Sequence, residues 1–288
     1  MGLRRGFLGV LTVLLLGWTA PAFAAEGPFS DWAAIVVAGD WHASSGRPSE
    51  AFDNARRDVA QELERIGFQK ANLRQFSVRP ERYRDVKPGK SSPKAIYEAL
   101  TDVAPRAGGG CLFYLSSHGA PQGVLVDRDL LAPRLLAAIL DRTCGQRPTV
   151  VVISACFSGV FIPELAQPNR MILTAARPDR TSFGCGESNK YPFFDECFLQ
   201  SSPGARDFPS LAKHVLACVS AREKKEGMTP PSEPQVWIGP QLRPMLPLYT
   251  FPQAPPARAF QDPRKSDPVH QGPHSQPSGA SAGRPAAA

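Results

Sequence analysis

The sequence predicts an α/β fold built on a mostly parallel sheet. Three observations predict it. Short apolar runs alternate with stretches of helical periodicity from about residue 30 to residue 240. Two of those runs, 111–117 and 150–155, read as buried strands and end directly at His118-Gly119 and at Cys156. The 38 residues from His118 to Cys156 hold a loop, one helix and a second strand, which is a right-handed β-α-β crossover. The crossover makes the two strands parallel and neighbouring, so a His and a Cys meet at the C-terminal rim of the sheet. That rim is where open parallel sheets bind ligands.

The elements follow in order. Residues 32–39 form a first buried strand ending in Gly39. Ser49 precedes a helix in which Phe52, Ala55, Val59, Leu63 and Ile66 recur at three- and four-residue spacing, and Gly67 stops it. Residues 73–78 form a short second strand. Ser92-Pro93 opens a helix with Ala95, Ile96, Leu100 and Val103 on one face, because Pro suits a first helical position. Gly108 to Gly110 lead into the His strand. Residues 123–126 are long enough only for an edge strand or hairpin arm. Residues 131–144 are the crossover helix, ended by Gly145, and 171–175 are the fifth core strand. Residues 184–203 read as an irregular polar loop. Asp207 caps a helix carrying Phe208, Leu211, Val215 and Cys218, with Lys224 and Lys225 suited to its C-terminal dipole. Residues 234–239 are a last strand. No internal repeat is present.

The two ends of the chain differ from this pattern. Arg4 and Arg5, an apolar run too short to span a bilayer, and Ala22-Phe23-Ala24 form a secretory signal over 1–24. No Cys follows closely, which argues against a lipoprotein anchor. Its removal implies a secreted protein, periplasmic or extracellular and of bacterial type, with no stable membrane anchor. Residues 251–288 are rich in Pro, Gly, Ser, Gln and Ala and read as a disordered tail. A single α/β domain over 28–250 lies between. The net charge of +7 falls to +5 without Arg4 and Arg5 and is scattered, which argues against nucleic acid as a partner.

Six cysteines lie in the secreted part. If Cys156 stays free, five remain, so at least one more thiol is free. Cys111, at the start of a buried strand, is expected to stay a core thiol. Cys185 and Cys197 could close a local loop, but spacing leaves the connectivity open. No pair has zinc-finger spacing, and neither metal nor cofactor is implied.

Cys156 and His118 point to nucleophilic catalysis. The thiolate attacks, and a neighbouring imidazole moves protons. Backbone N–H groups at Gly119 and Cys156 could hold an oxyanion. Gly119 and Gly159 are expected to let a substrate backbone approach closely.

At His118-Gly119 and Ser154-Ala155-Cys156-Phe157-Ser158-Gly159 the chain resembles the legumain family of cysteine peptidases, asparaginyl endopeptidases of the caspase-like clan. Thr174-Ala175-Ala176-Arg177-Pro178 followed by Ser182-Phe183-Gly184-Cys185 extends the likeness, as does Ala38-Gly39-Asp40-Trp41 after the first strand. The resemblance implies a caspase-like three-layer sandwich, a mostly parallel six-stranded sheet with helices on both faces. It implies a cysteine endopeptidase that cuts a protein or peptide substrate after Asn or Asp through a thioacyl-enzyme. Cys156 is then the nucleophile, His118 the general acid/base and Gly119 N–H an oxyanion donor. Ser182 and Phe183 would pair with the bound peptide backbone, and Arg47 and Asp195 would line the pocket for the residue before the cut.

The chain also departs from the family. Ser154 stands two residues before the nucleophile, where legumains carry an acid, and Phe157 follows it in place of a polar residue. The Asn expected near Trp41 is missing, with Ser44 and Ser45 nearby. Two alternatives remain open: a legumain-like transamidase that resolves the acyl-enzyme with an amine, and a non-catalytic caspase-like binding module. Oligomeric state is not legible.

Overall fold

The computed structural model describes residues 27–253. The predicted signal over 1–24 and nearly all of the predicted tail lie outside the described residues. In chain order the elements are β1 (Trp32–Ala38), α1 (Ala51–Arg65), β2 (Leu73–Ser77), β3 (Gly89–Lys90), α2 (Pro93–Val103) and β4 (Gly110–Ser116). Then come β5 (Gly119–Ala120), β6 (Gly123–Val126), β7 (Asp129–Leu131), α3 (Pro133–Thr143) and β8 (Thr149–Ser154). The order closes with α4 (Ile162–Leu165), β9 (Arg170–Thr174), α5 (Phe193–Ser201), α6 (Phe208–Glu226) and β10 (Gln235–Ile238).

The main sheet has the order β10-β9-β8-β4-β1-β2-β3. It is parallel except at β10, which runs antiparallel to β9. This is the α/β fold the alternation predicted. The sheet has seven strands rather than six, because the two-residue β3 adds an edge too short to register as a periodic run. The fragment at 123–126 is the middle strand of a small separate antiparallel sheet, β5-β6-β7.

The central strands are buried on both faces, so they read as unbroken apolar runs rather than alternating ones. Their residues still sort by parity. Ala34, Val36, Leu112, Tyr114, Val150 and Val152 pack against α1, α5 and α6 through Val59, Leu63, Phe194, Phe198, Leu211 and Val215. Ala33, Ile35, Phe113, Leu115, Val151 and Ile153 pack against α2 and α3 through Ile96, Leu100, Leu136 and Leu140. Helices therefore cover both faces, giving the three layers. The Ser92 side chain accepts from Ala95 N, and Asp207 forms a capping box with Ser210, so both predicted helix starts hold.

Two expectations are corrected here. The stretch 184–203 is not loop throughout: α5 occupies its second half. Cys111 is not a free core thiol but bridges to Cys144 at the end of α3, and Cys197 bridges to Cys218 rather than to Cys185. The free thiols are Cys156 and Cys185. Cys111 and Cys144 both point into the α2/α3 side of the core, and the crossover brings the helix end over the strand start. That proximity is tertiary and leaves no trace in spacing. Among the described residues no helix is long and apolar enough to cross a membrane.

Candidate active site

The register of three strands assembles the site. In the β1/β4 pair Ala38 lies opposite Ser116, and in the β4/β8 pair Ser116 lies opposite Ser154. Asp40, His118 and Cys156 each stand two residues beyond those positions. Adjacent strands are about 4.8 Å apart, so the three residues leave the rim at one level. His118 and Cys156 line the same open cleft of about 500 Å³.

His118 is held on several sides. Its Nε2 lies 3.0 Å from the His42 carbonyl oxygen and 4.0 Å from Asp40 Oδ2. Its ring meets Phe52 edge-on at 5.0 Å between centroids. The Cys185 thiol beside it does most to raise the imidazole above its ordinary pKa; burial opposes this, and the His42 carbonyl and Asp40 add to it. Asp40 is 7% exposed and is itself fixed by Trp41 N at 2.6 Å, His42 N at 3.1 Å and His42 Nδ1 at 2.7 Å.

Cys156 follows the last β8 residue by two, and the chain turns sharply there. Phe157 adopts φ 56, a left-handed conformation that a bulky side chain rarely takes. Its N–H donates to Arg180 O at 2.8 Å, which ties the turn to the loop beyond β9. Cys156 Sγ accepts from Ser182 N at 3.2 Å and donates to Ser182 O at 3.5 Å. Burial pushes the thiol above its ordinary pKa, against the lowering effect of the Ser182 amide. The Cys156 thiol is thus held by the loop at Ser182. Ser182 and Phe183 both line the cleft.

The glycines sit at close approaches within the chain. A Cβ on Gly119 would lie 2.0 Å from Cys156 O, and one on Gly159 would lie 2.6 Å from Pro178 Cδ. Their smallness lets the chain close on itself at both turns. Gly119 thereby seats the His118 turn directly on the Cys156 peptide.

The two predicted specificity residues are placed less simply. Arg47 is at the rim, its side chain 75% exposed and its Nε 2.7 Å from Glu187 Oε1. Ser45 bonds the same carboxylate, and with Arg47 it holds Glu187 down to about 2. Ser44, not Arg47, lines the cleft. Asp195 is fully buried in the first turn of α5, not in a loop. Its Oδ1 accepts from Tyr114 at 2.5 Å, and its Oδ2 accepts from Ser116 at 2.8 Å and Ser154 at 2.7 Å. Burial drives its pKa up to about 6 despite those three donors. Ser154 lines the recess beside Cys156, so Asp195 meets a cleft occupant through Ser154 rather than directly.

Sequence reasoning passed over Asp40, the His42 carbonyl and Cys185 as neighbours of His118. Asp40 had a signal: it follows a buried strand as His118 and Cys156 do. Cys185 had none, because its loop reaches the imidazole only in three dimensions, where Ser44 N donates to Cys185 O at 3.1 Å.

Comparisons with known proteins agree with this architecture. Residues 53–216 match the model of the peptidase C13 family. The fold is similar to that in the crystal structure of caspase-1 from Spodoptera frugiperda, with a TM-score of 0.54 and 14% identity. That similarity covers 80% of this chain and 94% of the caspase chain. No curated protein matches the sequence.

Proposed function

The chain belongs to the peptidase C13 family, and from that premise we propose that it is a cysteine endopeptidase cleaving after Asn or Asp through Cys156 and His118. One observation carries the reading. The β4/β8 register sets a free thiol and an imidazole at one level of the rim, in one cleft.

The resting thiol must lose its proton to react. A peptide entering along Ser182 and Phe183 takes over the backbone contacts that hold Cys156 Sγ. His118 accepts the thiol proton as the sulfur attacks the carbonyl carbon. The oxyanion is met by the N–H groups of Gly119 and Cys156. His118 then protonates the leaving amine, and water hydrolyses the thioester with His118 again taking a proton. Asp40 and the His42 carbonyl orient the ring and favour its protonated form.

Specificity rests on the pocket floor. The acid that legumains carry two residues before the nucleophile is Ser154 here, and Asp195 supplies the carboxyl one hydrogen bond deeper. Below about pH 6 that carboxyl is neutral, which favours an Asp before the cut. Export belongs to the same reading, and the two disulfides support an oxidising compartment. Mass spectrometry of exported protein should find its N-terminus at or next to Ala25.

A peptide library incubated with the protein, and the residue before each cut identified by mass spectrometry, tests the proposal. Cuts after Asn or Asp are expected, and none in Cys156→Ala. Equal cutting by Cys156→Ala removes the mechanism.

A further inference from the structure

Four of the six cysteines are bridged, and the two that are not share one cavity. Cys156 and Cys185 are both partly exposed and both line the cleft and its inner recess. The tether between them is short. Cys156 Sγ is bound to the backbone of Ser182, three residues before Cys185. A three-residue segment spans at most about 10 Å fully extended, and a disulfide needs Cα atoms about 4.4–6.8 Å apart. Gly184, in the left-handed region at φ +90, and Gly186 flank Cys185, so no side chain on either neighbour stands between the two thiols. His118 lies against the Cys185 thiol as well as beside the strand end that carries Cys156, so it can take a proton from either.

We infer that Cys185 is the resolving thiol of a reversible oxidation site at Cys156, with hydrogen peroxide as the oxidant. His118 takes the Cys156 thiol proton, and the thiolate attacks one peroxide oxygen. An S–O bond forms, the O–O bond breaks, and the departing hydroxide takes up the thiol's proton, leaving a sulfenic acid and one water. The Cys185 thiolate then attacks the Cys156 sulfur. An S–S bond forms, the S–O bond breaks, and the second hydroxide leaves as water with the proton that Cys185 released to His118. Two thiols have lost two electrons and two protons, and one peroxide has become two waters. The bridge takes the nucleophile out of the cleft and keeps it from the irreversible sulfinic state.

The step depends on the proposed peptidase reading only for its activity readout. Purified protein is treated with hydrogen peroxide and then analysed by intact mass and by non-reducing peptide mapping. The expected product is lighter by two hydrogen atoms and contains a linked Cys156–Cys185 peptide. Peptide cleavage is lost and returns with a mild dithiol. The other bridges resist that treatment, since Cys111, Cys144 and Cys197 are buried. Cys185→Ser should instead gain two oxygens at residue 156 and stay oxidised under the dithiol. Gain of oxygen at Cys156 in the wild-type protein, with Cys185 still open to alkylation, overturns the inference. So does dithiol recovery in Cys185→Ser equal to wild type. The linked peptide in the wild-type chain decides the matter if Cys185→Ser does not fold, and its mass is read whether or not any substrate is cut.

Discussion

Asp195→Asn should remove a pH dependence of stability that runs against the usual carboxylate trend. Asp195 is fully buried and its pKa is raised from 3.8 to about 6, chiefly by burial. The folded protein therefore holds this proton more tightly than the unfolded chain does. Between those two values the native state binds a proton that the unfolded state has released, so stability rises as pH falls from about 6 toward 3.8. Each pKa unit is worth about 1.4 kcal/mol, which puts the full contribution on the order of 3 kcal/mol. Between about pH 7.5 and about pH 4.5 the part expressed is on the order of 2 kcal/mol. Asn keeps the size but cannot ionise. It also presents an NH₂ where one of three hydroxyls donates, which costs roughly 1–3 kcal/mol at every pH. Urea unfolding of both proteins at the two pH values isolates the effect, because all other groups cancel in the difference. Wild type should gain on the variant by about 2 kcal/mol on acidification. A difference that stays flat, or that shrinks on acidification, would refute the placement of a buried, easily protonated carboxyl beneath Ser154.

Other outcomes follow from the same geometry. His118→Ala should lower cleavage by roughly two to four orders of magnitude, the span of general acid–base help. His214 is exposed on α6, so His214→Ala should leave cleavage nearly unchanged; equal losses in both would deny His118 a special role. The ratio of Asp to Asn cleavage should rise as pH falls through about 6, where Asp195 gains its proton, and a constant ratio from time-resolved peptide mapping would separate Asp195 from specificity. Gly119→Ala drives a Cβ to within 2.0 Å of Cys156 O, so the turn must move and activity should be lost while the far side of the sheet keeps its stability; retained kcat/KM would show that the turn is not needed where it stands.

What the sequence determined by itself is what local pattern can carry. Buried strands such as β1, β4 and β8 announce themselves as apolar runs because both their faces are covered. The end of such a run is a fixed place in a parallel sheet, so His118 and Cys156 were legible as rim residues before any register was known. Asp40 was equally legible by that rule. The caps at Ser92 and Asp207 are local hydrogen bonds and were read correctly. α5 was hidden, although Phe193, Phe194, Cys197 and Phe198 have helical spacing, because Gly184, Gly186 and Pro192 mark the preceding stretch as turn. Only the tertiary structure decided the partners. Cys111 meets Cys144, and Cys185 meets His118, because a crossover and a loop bring together residues whose separation in the chain says nothing of their distance. Asp195 was expected to face a substrate and instead lies under Ser154, bound to three hydroxyls from two neighbouring strands. A carboxyl's charge is visible in a sequence, but its burial and its pKa belong to the neighbours that packing supplies.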